Sequence, residues 1–361
     1  MDTIVTLYKE WQSLQPLKPE NQQRLDKKFM LDFNYNSNHL EGNTLTYGQT
    51  KLLFLFGETT GNARLKDYEE MKAHNVGLEM IKIEALDKER TLSEIFIREL
   101  NNTILVRNFW KNTKTASGQP TRYEIKVGVY KTRPNSVITA TGELFEYASP
   151  EETPALMTDL IAWYREEERK GVLSPAELAA LFHYRYIRIH PFEDGNGRIA
   201  RLLVNYILLR NNYPMIVIQS KEKESYLKVL HQCDVAVGTI PSDGALAKLK
   251  HIEPFVDFIE SKIIKTLSDN IETVKTQKGG IISSIWWYNN NRITIKNVNQ
   301  QRIIELLSMN PTITVRELSE KLVINKSAVQ KHLATLKTKD YIFRKGGTKG
   351  EWIINIESID N

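Results

Sequence analysis

Apolar residues recur at helical spacing over most of the first 270 positions. In SPAELAALFHYRYIRI (174–189) they form one face through Ala179, Leu181, Phe182, Tyr186 and Ile189. In RIARLLVNYILL (198–209) the stripe is Ile199, Leu202, Leu203, Tyr206 and Ile207. Ser174, Pro175 and Glu177 read as N-cap, first-turn proline and capping box of the earlier helix. QQRLDKKFMLDFNYNSNHLEG (22–42) is a further helix, stopped by Gly42. The pattern stays mostly helical from Pro19 to about Tyr130, apart from a loop at 57–63, and resumes after Pro150 through EPFVDFIESKIIKTL (253–267). VITATGELFEY (137–147) differs, with β-branched residues around Thr141-Gly142, as a hairpin requires. QKGG at 277–280 reads as a hinge, and 281–298 has no clear periodicity. Three helices (299–311, 313–322 and 325–339) and the alternating YIFRKGGTKGEWIINI (341–356) then follow in the order of a winged helix.

Composition narrows the class. The chain is 41% hydrophobic and 26% charged with a net charge of +5, as expected of a soluble globular protein of two or three domains. No run approaches 18 apolar residues, so no membrane span is expected. Cys233 is the single cysteine, and MDTIVTLYKEW lacks the basic start of a leader; a reducing, cytoplasmic setting is the expectation. Neither GxGxxG nor GxxxxGK[ST] occurs. Residues 299–361 hold ten Lys and Arg against seven Asp and Glu, a net +3. Lys326, Lys331, Arg344, Lys345 and Lys349 fall on the expected recognition helix and wing, where DNA phosphates would be met.

The chemistry concentrates in HPFEDGNGRIAR, residues 190–201. Gly195 and Gly197 allow close approach to the main chain, and the turn they form opens a helix whose free N–H groups attract anions. Arg198 and Arg201, three apart, share its first turn; cations there oppose the helix dipole unless an anion lies between them. Asp194 is placed to hold Mg²⁺ against phosphate oxygens. His190 is the natural general base, with an ordinary pKa near working pH. Phe192 is expected as a core anchor, Glu193 as a solvated neighbour and His183 as a packed side chain.

From His190 to Arg201 the segment resembles the signature of Fic-domain proteins, HxFx[D/E]GN[G/K]RxxR, at every specified position. The resemblance implies transfer of AMP from ATP to a protein hydroxyl. His190 would deprotonate the target Ser, Thr or Tyr, and Asp194 would bind Mg²⁺. The main chain of Gly195–Gly197, with Asn196, would hold the α- and β-phosphates, and Arg198 and Arg201 the diphosphate and γ-phosphate. Position 197 is Gly, where Doc-like phosphorylating members carry Lys. SNHLEGN (37–43) resembles the family's inhibitory motif [S/T]xxxE[G/N] through Ser37, Glu41 and Gly42, which implies a Glu41–Arg201 latch. ELNNTIL (99–105) is similar to the helix before the family's flap. Val137, Ile138 and Thr139 are similar to the flap that aligns a target by backbone pairing. Tyr226 matches an aromatic over adenine, while Leu227 and Asp234 replace the aromatic and Asn often found there.

The expected fold is mainly α: a helical Fic fold with a β-hairpin flap and a C-terminal winged helix-turn-helix. The expected divisions are 1–90 (inhibitory region), 91–265 (catalytic), 266–298 (linker or helical connection) and 299–361 (winged helix). The expected function is a protein adenylyltransferase using ATP and Mg²⁺, autoinhibited by Glu41, acting on a hydroxyl of a target protein or of itself. Alternatives are a hydrolase in which Glu41 orients water to remove AMP, a nucleotide-sensing DNA-binding regulator, and transfer of another phosphate-containing moiety. Candidate partners are a hydroxyl-bearing protein, DNA through 299–361 and a second copy of the chain.

Overall fold

The computed structural model describes residues 2–59, 61–114, 118–138, 144–275, 284–288, 291–295, 297–322, 324–346 and 350–358. Packing divides the chain into Met1–Val274 and Lys275–Asn361.

The first unit is built of helices α1 (Asp2–Ser13), α2 (Pro19–Leu40), α3 (Tyr47–Phe56), α4 (Leu65–Leu86), α5 (Glu94–Leu105), α6 (Thr153–Lys170), α7 (Pro175–Ile189), α8 (Asn196–Arg210), α9 (Lys223–Val237), α10 (Pro241–Ala245) and α11 (Glu253–Lys275). Two small antiparallel ribbons interrupt them: β1 (Phe109–Lys114) with β2 (Pro120–Ile125), and β3 (Val137–Ile138) with β4 (Leu144–Phe145). The centre is α8, where every residue except Gly197 and Leu209 is buried. Its sequence stripe understates this: α4 and α7 pack along it as well, so even Arg198, Arg201 and Asn205 lie inside. A helix enclosed on all sides with arginines among its buried residues needs partners for them, and those partners make the site.

Two sequence expectations require correction. The helical reading up to Tyr130 fails at 109–125, where FWKNTK and PTRYEI pair from Phe109↔Ile125 to Lys114↔Pro120. β-Branched and aromatic residues on both arms outweigh a weak helical period. The reading of 266–298 as linker or helix fails in part. Helix α11 runs on to Lys275, and β5 (Ser284–Tyr288) pairs with β6 (Asn291–Ile295). SIWWY and NRITI carry the β-branched and aromatic residues that strands favour. The hinge expected at 277–280 lies outside the described residues.

The second unit continues with α12 (Val298–Met309), α13 (Val315–Leu322), α14 (Lys326–Thr338), β7 (Ile342–Lys345), β8 (Glu351–Ile354) and β9 (Glu357–Ser358), the last pairing with β5. Its core gathers Ile303, Leu307, Leu318, Val329, Leu333 and Trp352. This is the helix, helix–turn–helix, hairpin order of a winged helix. Lys326, Lys331 and Lys345 are exposed, and Lys349 lies outside the described residues. Arg344 is committed to the wing itself: its guanidinium stacks on Trp352 at 5.2 Å and its Nε donates to Gly350 O. No described helix of the chain is long and apolar enough to cross a membrane.

Candidate functional site

Helix α7 begins as its sequence requires. Ser174 Oγ accepts from Glu177 N, and Glu177 Oε2 accepts from Ser174 N at 2.7 Å. It ends at His190, which adopts left-handed backbone angles (φ 51°, ψ 60°), uncommon for a residue with a Cβ. Surrounding groups enforce that conformation. Lys131 donates its Nζ to Ile189 O and its N–H to Pro191 O, at 2.9 and 2.8 Å. Asn135 Nδ2 donates to both His190 O and Phe192 O. Phe192 is buried, the anchor expected of it.

Asn196 takes a part that its sequence position did not reveal. Its side chain turns back onto the loop, donating to Phe192 O at 2.7 Å and accepting from Phe192 N at 3.0 Å. It shapes the cradle, and the main chain is left to meet an anion. Asn101 fastens the other side, donating to Asp194 O and accepting from Gly128 N. Gly195 has φ +84° and caps α8, whose first N–H groups have no intrahelical acceptor.

Over that turn sits Glu41. Helix α2 ends there, Glu41 itself being the C-cap, with Gly42 at φ +89°. Glu41 Oε1 accepts from Arg201 Nη2 at 2.7 Å, while Ser37 receives Arg201 Nε on its hydroxyl and Nη2 on its carbonyl. A Cβ built on Gly197 would lie 2.3 Å from Glu41 Oε1, so the carboxylate rests on the glycine turn itself. Burial pushes the Glu41 carboxyl upward in pKa. The charge and hydrogen bond of Arg201, with the charges of Arg198 and Lys223, outweigh burial and hold it below the usual carboxylate value. An anion thus already occupies the place between the two arginines that the dipole argument required.

His190 departs from the expected titration. Tyr147 stacks on its ring at 3.9 Å, and burial, with the Lys131 charge, lowers its pKa to about 3. Its Nδ1 faces Ile187 O at 3.3 Å, so the proton of the neutral ring belongs on Nδ1 and Nε2 keeps a lone pair. That is the base form.

Asp194 lies at the rim of a cavity of about 140 Å³, lined also by Glu41, Asp67, Glu70 and Arg198. Its Oδ1 accepts from Gly195 N and stands 3.6 Å from Arg198 Nη2; Arg198 also faces Glu70 Oε2 at 3.7 Å. Among the described residues no group of three or more His, Cys, Asp or Glu could hold a metal alone. One half-exposed carboxylate fits Mg²⁺ that draws its other ligands from phosphates and water.

The structure relocates several expected residues. Glu193 is not solvated: it accepts from Thr132 Oγ1 and lies 3.6 Å from Arg133 Nε. His183 is packed as expected, sharing a 2.7 Å hydrogen bond with Tyr226 Oη. Tyr226 itself is buried among Phe255, Phe258 and His183. Leu227 is half exposed, and Asp234 accepts from Tyr184 and Arg188. Val137 and Ile138 pair with Phe145 and Leu144 as a two-residue ribbon, and Thr139 and the Thr141-Gly142 turn lie outside the described residues. Sequence reasoning missed Lys131, Asn135, Asn101 and Tyr147. Only Tyr147 left a signal, as the aromatic end of the flap segment.

Comparison with known proteins agrees with this geometry. A family model described as Fic/DOC family matches residues 91–208, and one described as MarR family matches 297–349. Protein adenylyltransferase fic-1 of Caenorhabditis briggsae is 26% identical over 250 residues, 69% of this chain and 43% of that protein. Protein adenylyltransferase Fic of Drosophila grimshawi is 28% identical over 245 residues, 68% of this chain and 43% of that protein. The chain therefore spans less than half the length of these curated relatives. A Fic-domain-containing signalling protein from Bacteroides thetaiotaomicron, solved by crystallography, is 66% identical, covering 76% of this chain and 97% of that one, with a TM-score of 0.71. A Fic family protein from Desulfovibrio desulfuricans shares the fold at 18% identity and a TM-score of 0.55, covering 98% of this chain and 96% of that one. With a glycine turn at the head of a buried helix, a neutral histidine in the preceding loop and so similar a solved relative, this chain belongs to the Fic/DOC family, and a MarR-like winged helix follows its Fic unit.

Proposed function

We propose that the chain transfers AMP from ATP–Mg²⁺ to a hydroxyl of a protein target, and that Glu41 holds it off. The observation that carries this reading is the Glu41 carboxylate seated on Gly197 and bound to Arg201, where a phosphate oxygen would otherwise lie. When α2 yields, the free N–H groups at the start of α8 and the two guanidiniums take the triphosphate; such transfers depend mainly on positioning and charge neutralisation. Asp194 would hold Mg²⁺, which supplies charge neutralisation on the phosphates. Nε2 of His190 accepts the target hydroxyl's proton as its oxygen attacks the α-phosphorus, and pyrophosphate leaves. Tyr147 covers His190 in this state, so an incoming target segment along Val137, Ile138 and Thr139 must share or displace that stack. The buried seat of Tyr226 beside His183 supports a role in packing the wall of the nucleotide site more than a stacking face for adenine.

The test is incubation of the Glu41→Gly chain with ATP labelled at the α- or the γ-phosphate. Protein labelled from the α-position only, with an added mass of AMP less water, supports the reading. Label from the γ-position alone would overturn it in favour of phosphorylation. His190→Ala should bind ATP and transfer nothing. If Glu41→Gly abolishes AMP removal from a modified protein and leaves transfer unchanged, the hydrolase reading replaces this one.

For the second unit, the MarR-family match and the exposed Lys326, Lys331 and Lys345 support duplex DNA as partner. Binding that weakens steeply with salt in a gel-shift assay is the expected result; no shift at low salt refutes it.

A further inference from the structure

The catalytic unit carries a charged surface that the transfer reading does not use. Residues 107–133 contain seven Lys and Arg and one acid, Glu124, a net charge of +6. The whole chain is +5, so the other 334 positions sum to −1. Apart from the buried Lys131, this charge lies on and around the β1–β2 ribbon. Arg107 and Arg133 have carboxylate partners, Glu69 and Glu193. Lys111, Arg122 and Lys126 are exposed and meet no carboxylate among the described residues. At a Debye length of about 10 Å in 0.1 M salt their fields overlap along the ribbon.

Its construction narrows the partner. The ribbon pairs only with itself among the described residues, so no other strand covers the outer edge of β1 or β2. Its rings are already engaged by cations: Arg122 over Trp110 at 4.7 Å, Arg133 over Tyr123 at 4.3 Å and Lys66 over Phe109 at 4.7 Å. Binders of single-stranded nucleic acid leave their rings open for bases to stack. Here the available groups are N–H-bearing cations and strand edges, which together match an extended, acidic polypeptide added as a third strand. The ribbon is also coupled to the catalytic loop. Arg133 Nη2 donates to Glu124 O in β2, and its Nε faces Glu193, three residues after His190.

We propose that the β1–β2 ribbon is a docking arm for an acidic, extended segment of the protein substrate, bound by strand addition and by Lys111, Arg122 and Lys126. The inference takes from the transfer reading only that the substrate is a protein. A target bound there is tethered to the loop that carries His190, which raises the local concentration of its hydroxyl.

The experiment is direct binding, independent of transfer. A fluorescein-labelled dodecapeptide of alternating Glu and Thr is titrated with the full Glu41→Gly chain, followed by fluorescence anisotropy. Expected are saturable binding, at least a tenfold loss between 50 and 300 mM salt, and at least a tenfold rise in Kd for Lys111→Glu with Lys126→Glu. That pair leaves the Arg122–Trp110 and Arg133–Tyr123 stacks in place, so the ribbon keeps its shape; unchanged circular dichroism and ATP binding verify it. Equal binding of an alternating Lys and Thr peptide, or a Kd unmoved by the double reversal, overturns the proposal. Tighter binding of a single-stranded oligonucleotide or of phosphatidylserine vesicles, lost in the same variant, also overturns it by assigning the ribbon to that partner. Failure of AMP transfer with peptide binding intact would refute the transfer reading alone.

Discussion

Replacing Glu41 by glycine should weaken the folded chain and strengthen its hold on nucleotide, two effects of opposite sign from one substitution. The Arg201 side chain is 3% exposed, and among the described residues Glu41 is its carboxylate partner, at 2.7 Å; Ser37 adds hydrogen bonds through its hydroxyl and carbonyl, and Tyr226 a further one. Stranding a fully buried charge costs about 3–5 kcal/mol. The Glu41 side chain is 40% exposed, so water already screens part of the attraction, and the loss here is about 2 kcal/mol. Spread over a unit of this size, that lowers Tm by roughly 4–8 °C without nucleotide. On the proposed reading, ATP must displace the same carboxylate in the wild-type chain and need not in the variant. The free energy therefore reappears as affinity, about 30-fold tighter at 1.4 kcal/mol per decade. Differential scanning fluorimetry without nucleotide and calorimetric titration with ATP–Mg²⁺ measure the two arms. A variant with unchanged Tm and unchanged ATP affinity refutes the latch. A lowered Tm without tighter binding shows that the pair is structural and does not compete with phosphate.

Gly197→Ala places a methyl group 2.3 Å from Glu41 Oε1 and must eject the carboxylate, so its destabilisation should not add to that of Glu41→Gly; additive effects in a double-mutant cycle would disprove the contact. Burial holds His183 and His190 near pKa 3 and His74 well below the usual imidazole value, so all three stay neutral in the folded chain while the unfolded chain protonates them below about 6.5. Unfolding then takes up protons as pH falls from 6.5 towards 3, and stability drops by up to about 4 kcal/mol per pH unit; flat urea midpoints between pH 7 and 5 would contradict this. Lys131 acts with the same sign in an alkaline window: burial lowers its pKa to about 7, so its contribution to stability rises between pH 7 and 10.5 as the folded chain sheds the proton first. Lys131→Met should abolish that rise, and an unchanged alkaline profile would show that Lys131 does not titrate there.

How far the sequence foretold the site depended on whether neighbours in space were neighbours in sequence. The 174–201 segment declared its capping box, its turn and its arginines because a helix–loop–helix junction is local. The Glu41–Arg201 pair, 160 positions apart, was reachable through the resemblance of 37–43 to the inhibitory motif; an acid at a helix C-terminus says only that some cation is needed. Lys131 and Asn135 left no trace: they act on main-chain carbonyls of the loop, and carbonyls carry no sequence signature. The imidazole pKa was likewise invisible, since it depends on burial by the folded chain and on the Lys131 charge, 59 positions away. The 109–125 ribbon was not legible because two six-residue arms are too short to set a period of their own against the helical segments around them.

The way α2 is attached bears directly on the proposed latch. Helix α2 buries Leu25, Phe33 and Leu40 in the core, but beside them it presents the polar Asn34, Ser37, Asn38 and Glu41 at helical spacing toward its C-terminal end. Asn34 meets His74 Nδ1 and Asn75 Oδ1 at 2.7 Å each, and Ser37 and Glu41 meet Arg201. Hydrogen bonds exchanged for water contribute only about 1 kcal/mol each on balance, whereas a buried leucine contributes about 2 or more. The polar part of this seam therefore fixes the position of the helix closely while making its last turns less costly to withdraw than a wholly apolar face would be. The amides of α2 between Asn34 and Glu41 should then exchange with deuterium faster than those of α8, and faster still once Glu41→Gly removes the terminal anchor. Protection equal to that of α8 would mean that α2 opens only with the whole fold, and that a phosphate could gain access only by local movement of the Glu41 side chain.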